Sequence, residues 1–143
     1  GWYEPDVADL AAISRSFEGG KPIVITEVGA EAPAGNRANT GALFTEDRMA
    51  AVYEAQIAQV AALPEIRGFC PWLLYDFRSE RRHNSYQGGF NRKGLIAEDK
   101  ATRKAAFKVL QRFYGGPRQG CRAADASVPE HPEASPPHGP SAS

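Results

Sequence analysis

One short segment restricts what this chain can fold into more than any other: KPIVITEVGAE, residues 21–31. Pro22 to Thr26 form an apolar, β-branched run with almost no polar alternation. That pattern predicts a strand covered on both faces, as in a parallel sheet packed beneath helices. The run ends on Glu27, followed by the small-residue exit Val28-Gly29-Ala30. A carboxylate there is costly unless something pairs with it or uses it. Glu27 is therefore either a functional group at a strand end or a carboxylate that caps the next loop or pairs with Arg37 or Arg48.

The flanking sequence supplies the rest of an α/β pattern. Val7, Leu10, Ala11, Ile13 and Phe17 fall on a helical stripe, with Asp6 as N-cap and Gly19-Gly20 as stop. Residues 30–43 read as a long loop. Thr45-Glu46-Asp47-Arg48 opens a second helix whose apolar face is Met49, Val52, Tyr53, Ile57 and Val60, and Pro64 ends it. A second strand-like run extends from Gly68 to Tyr75 and ends on Asp76-Phe77. After a polar, basic loop over 78–92, Gly94-Leu95-Ile96 reads as a brief pairing segment. A last helix is predicted from about Thr102 to Tyr114, with Ala105, Ala106, Val109, Leu110 and Phe113 inward. The order helix, strand, helix, strand, helix implies parallel strands with right-handed crossovers. Both strands end on acids followed by long loops, and in α/β sheets and barrels chemistry collects at those ends.

Residues 115–143 hold six of the eleven prolines and no aromatic residue. Such a segment buries too little apolar area to offset its ordering entropy, so it is predicted to be disordered. Two of the three histidines, His131 and His138, sit in it and drop out as catalytic candidates. The 143 residues are long enough for one ordinary domain with a real core. Seventeen basic and seventeen acidic side chains cancel, so no global field favours nucleic acid or an anionic membrane. No apolar run approaches the roughly 18 residues that cross a bilayer. The opening residues from Gly1 carry no signal-peptide pattern, and a start without Met reads as a piece of something longer. Cys70, inside an apolar run, reads as a small buried hydrophobe, and Cys121 lies in the polar tail. Neither has the neighbours of a zinc site, and the compartment stays open.

Four motifs in collinear order resemble glycoside hydrolase family 2. PIVITEVGAE is similar to the strand that bears that family's catalytic nucleophile. GWY at the start looks like the end of the preceding barrel strand, PWLLYDFRSERR like the final strand, and NRKGLIAEDKATRKAAFKVLQRFY like the closing turn and helix. The match runs from Gly1 to about Tyr114. It implies the C-terminal portion of a (β/α)8 TIM barrel, from the end of strand six through helix eight. A complete barrel takes about 250 residues, so residues 1–114 would form a partial catalytic domain. The family's general acid/base is the Glu of an Asn-Glu pair, and no such pair occurs in this sequence.

By the resemblance Glu27 is the nucleophile of a retaining glycosidase. Its partner carboxylate would lie upstream, so the isolated chain should be inert. Trp72 matches an aromatic that lines the sugar subsite, against the alternative of a core Trp in a buried strand. Tyr3 either donates to the nucleophile or sugar, or simply packs. Asn91 and Lys93 match an Asn-x-Lys pair that grips the substrate carboxylate in the family's β-glucuronidases, the ammonium giving charge and the amide direction; the alternative is a surface turn closed by Gly94. Asp76 reads as structural, holding Arg78 or Arg81, with a sugar hydroxyl as the other option. Arg78, Arg81, Arg82 and His83 read as a solvated loop or a rim that attracts an anionic sugar. Glu31, Arg37 and Asn39 lie where substrate or a neighbouring subunit would be met, and the sequence does not choose.

The expected partner is a β-linked glycoside, a uronide first and a galactoside second. Neither nucleic acid nor membrane is expected, no cofactor or metal is required, and the full-length enzyme has room to be a homo-oligomer. The rival from another class is a non-catalytic carbohydrate-binding or structural barrel fragment.

Overall fold

The computed structural model describes residue 16, residues 21–37 and residues 41–116. The helix expected over 6–17 (Ser16 apart, which is helical), Tyr3, Asn39, Cys121 and the expected disorder beyond Gly116 lie outside the described residues.

Strand β1 spans Ile23–Val28 and pairs in parallel with β2, Ile66–Pro71. Helix α1, Glu46–Ala61, is the crossover between them. The expected Thr45 start is present: its hydroxyl accepts from Arg48 N at 3.2 Å, and Glu46 and Asp47 sit in the first turn, where the helix dipole favours acids. The apolar stripe behaves as its period requires, with Met49, Val52, Tyr53 and Val60 buried. They join Val28, Phe69, Leu95, Ala106, Val109 and Leu110 in one core. Helix α2, Ala105–Gly115, lies against α1 and closes that core.

Strand β2 begins two residues before the expected Gly68, because Ile23 pairs with Ile66. It also stops four residues short of Tyr75. Pro71 brings no N–H to the ladder, and after Trp72 the chain changes partner. Leu73 N donates to Lys93 O at 3.2 Å, Leu95 N to Leu73 O at 2.9 Å, Ile96 N to Leu74 O at 2.9 Å and Asp76 N to Ile96 O at 2.9 Å. The expected pairing at Gly94-Leu95-Ile96 is therefore real, and its partner is the end of the second strand run. The peptide between Trp72 and Leu73 is cis.

Three expectations need correction. The first strand is not covered on both faces by the described residues: Val24 is 55% exposed while Ile25 packs against the core. Cys70 is exposed rather than buried, because side chains alternate along β2 and Phe69 takes the face beneath the helices. The 78–92 segment is more ordered than a plain loop. Phe77–Arg78 (β3) and Phe90–Asn91 (β4) pair antiparallel, and Asn84 Oδ1 accepts from the backbone of Tyr86 and Gln87 at 3.1 and 2.8 Å.

The uncovered face and the two-stranded parallel pair leave sheet edges open to other chains. The isolated 143-residue chain should therefore unfold over a broad temperature range and aggregate. A sharp, cooperative transition by circular dichroism, reversible at micromolar concentration, would contradict this.

Candidate active site

Glu27 stands exposed at the carboxyl end of β1. The backbone just after it is held twice: Val28 O accepts from Trp72 N at 2.9 Å and from the Tyr53 hydroxyl at 3.4 Å. Gly29 makes this possible. Its φ is +136°, and a Cβ there would lie 2.2 Å from the Tyr53 hydroxyl oxygen. The alternative role for Glu27 as the partner of Arg37 loses its support, since Arg37 binds Asp47 at 2.9 Å.

Trp72 follows β2 and is 40% exposed, so it is not a core tryptophan. Its neighbour Leu73 is bonded to the backbone of Lys93. A short backbone relay thus joins three of the sequence candidates: Glu27–Val28 to Trp72–Leu73 to Lys93. Asn91 and Lys93 are buried, which excludes the plain surface turn. Asn91 Oδ1 accepts from Lys93 N at 3.1 Å, folding the Asn-x-Lys stretch on itself. Gly94 completes it for a steric reason: a Cβ would sit 2.2 Å from Asp76 N.

Burial pushes the Lys93 ammonium below the ordinary 10.5, and the like charge of Arg82 pushes the same way, while Glu31 and Glu27 oppose both. Between the lowered folded value and 10.5 the unfolded chain binds the extra proton, so this group makes stability rise with pH across that window.

Asp76 has the structural role expected of it, but with different partners. It is fully buried, out of reach of a sugar hydroxyl, and binds neither Arg78 nor Arg81. Its Oδ1 accepts from Lys104 Nζ and from Gly94 N, both at 2.8 Å, and Arg92 NH1 lies 3.6 Å from Oδ2. Lys104 Nζ also donates to Arg92 O at 2.9 Å. Burial raises the Asp76 carboxyl and lowers the Lys104 ammonium, each opposed by the other's charge. Arg92 lies over the Phe90 ring, 4.6 Å from its centroid, and pairs with Glu98, whose pKa it lowers.

Glu31, left undecided by the sequence, faces inward. It accepts from Gln87 Nε2 at 2.7 Å and lies 3.5 Å from Arg82 NH1. Gln87, Arg92 and Lys104 escaped the sequence reading altogether. Lys104 lay within the predicted last helix, and nothing local marks a lysine that turns inward to a distant aspartate. Among the described residues no group of three or more His, Cys, Asp or Glu is placed to hold a metal ion.

No protein-family model matches the sequence, and comparison with curated proteins found no match. Solved structures do match. A GH2 β-galacturonidase from Eisenbergiella tayi bound to galacturonate shares 28% identity at a TM-score of 0.64, covering 73% of this chain and 19% of that one. An FMN-binding β-glucuronidase from Faecalibacterium prausnitzii shares 26% identity at 0.63, covering 82% and 19%. A β-D-glucuronidase from Dictyoglomus thermophilum, at 22% identity and 0.65 over 76% and 18%, supports the fold alone. The chain spans about a fifth of the length of these proteins. These neighbours define a class, the glycosidases. More narrowly, the likeness to the β-galacturonidase matches the chain to a fragment of a glycoside hydrolase family 2 enzyme, as its motifs implied.

Two substitutions test the framework. Asp76→Ala strands the Lys104 charge, a loss of about 3–5 kcal/mol, and should speed amide exchange at Gly94 at least a hundredfold; unchanged protection would remove Asp76 from this role. Gly29→Ala forces a clash with Tyr53 at a backbone angle that disfavours any side chain. It should lower the unfolding midpoint, more than Gly35→Ala, where a Cβ meets nothing within 4 Å.

Proposed function

We propose that the chain is the nucleophile-bearing part of the (β/α)8 catalytic barrel of a retaining β-glycosidase that acts on uronides. Residues 1–114 are the barrel portion and 115–143 a tail. The observation that carries the reading is the backbone relay from Glu27 through Trp72 to Lys93, at the strand ends where barrel enzymes keep their chemistry. The β-galacturonidase and the FMN-binding β-glucuronidase, both above 25% identity, support a sugar acid as substrate, since one is named for galacturonide and the other for glucuronide.

The chemistry follows from these groups. The Glu27 carboxylate attacks the anomeric carbon, the leaving oxygen departs with a proton, and a glycosyl ester forms. Water then cleaves the ester with net retention. A second carboxyl group about 5 Å away must protonate the leaving oxygen and later deprotonate the water. This sequence has no Asn-Glu pair, so that group belongs to another part of the full-length protein. Trp72 offers an apolar plane to the pyranose face. Lys93 supplies charge for the sugar carboxylate and Asn91 supplies direction. Tyr3 is assigned the hydrogen bond to nucleophile or sugar.

In the full-length protein, Glu27→Gln should cut turnover of an aryl β-glucuronide or β-galacturonide by roughly three orders of magnitude or more. Lys93→Ala should cut kcat/KM for the uronide roughly ten- to a hundredfold and spare a neutral β-galactoside. Wild-type turnover by the Glu27 variant would sink the nucleophile assignment. Equal losses on both sugars would sink the uronate assignment.

A further inference from the structure

Glu31 is only 2% exposed, lies four residues beyond Glu27, and has no part in the double displacement. A carboxylate so deeply buried is costly without charged or hydrogen-bonding partners. Its partners come from the segment between β3 and β4: Gln87 Nε2 at 2.7 Å and Arg82 NH1 at 3.5 Å. Arg82 is partly buried, and its like charge acts with burial, the larger cause, to lower the Lys93 ammonium. Two cations held close in a partly desolvated place repel each other, and they stay together only if an anion is fixed beside them. The backbone fixes this anion, for Ala32 N donates to Arg92 O at 3.1 Å, tying the Glu31 loop to the Asn-x-Lys turn.

We infer that Glu31 is a positioning residue for anionic-sugar recognition: by anchoring Arg82 and Gln87 it keeps Arg82 beside Lys93, so that two cations rather than one address the substrate carboxylate. This rests on the reading that Lys93 grips a uronate. The charges that act on the Lys93 ammonium are Arg82 from between β3 and β4, which lowers it, and Glu31 from the loop after β1 and Glu27 from β1 itself, which raise it. Of these, Glu31 is the one whose charge can be removed while an acceptor for Gln87 is kept.

The test compares Glu31→Gln, Glu31→Asp and Arg82→Met in the full-length protein. Lys93 is titrated by NMR after 13C-methylation, its signal assigned by its loss in Lys93→Arg, and the pH profile of kcat/KM is measured on an aryl β-glucuronide. Glu31→Gln removes an attraction that favours the ammonium, so the Lys93 titration and the alkaline limb of the profile should both move to lower pH. Glu31→Asp, which keeps the charge, should stay near wild type. Arg82→Met should move the titration to higher pH and raise KM for the uronide. A Lys93 titration unmoved by Glu31→Gln, or moved equally by Glu31→Asp, overturns the inference. If wild-type protein turns over no uronide, the substrate reading fails, and the Lys93 titration still decides the role of Glu31.

Discussion

The buried ion pair between Asp76 and Lys104 joins three parts of the chain that are remote in sequence. Through its Oδ1 the end of the second strand run holds both the Asn-x-Lys-Gly turn, at Gly94, and the residue that precedes α2. Glu46 makes a parallel connection, accepting from Gly35 N at 2.7 Å with one oxygen and from Ala105 N at 2.6 Å with the other. One helix thereby caps the start of another, since Lys104 gives α2 no side-chain cap. For Asp76 and Lys104, burial outweighs mutual attraction in both pKa shifts. Such a pair sets geometry more than it adds stability, and its cost appears when one partner is lost.

The position of the catalytic candidates depends on that geometry. Lys93 lies one residue before Gly94, whose N–H binds Asp76, and its carbonyl accepts from Leu73 beside Trp72. The described candidates Glu27, Trp72, Asn91 and Lys93 thus project from backbone fixed by a neighbour, as a preorganised site requires. Tyr53 serves the same end on the β1 side, filling the space that Gly29 leaves and donating to Val28 O.

Periodic and local features were legible in the sequence. The α1 stripe from Met49 to Val60, its Thr45 cap and the apolar run before Glu27 all follow from neighbours within a few residues, and the structure has them. Boundaries set at a distance were not legible. Strand β2 starts where Ile23 needs a partner and ends where Pro71 breaks the ladder, so its limits belong to the pairing rather than to its own composition. Cys70 was misread because an apolar run does not say which face is covered. The buried charges Glu31, Asp76 and Lys104 find partners 12 to 56 positions away, and no local pattern encodes such a meeting. Glu27 was singled out by the apolar run that it ends, whereas Trp72, Asn91 and Lys93 were proposed only because their motifs occur in a familiar order. The backbone relay that brings three of them together is visible in three dimensions alone.

As the proposed nucleophile, Glu27 would form a covalent bond with the sugar. Its most direct test is to incubate the full-length protein with a 2-deoxy-2-fluoro uronosyl fluoride, which forms the glycosyl ester and hydrolyses slowly, and to map the label by peptide mass spectrometry. One stoichiometric adduct is expected on the peptide containing Glu27, formed as activity is lost and absent in Glu27→Gln. A label on another carboxylate, or inactivation with Glu27 unmodified, would contradict it.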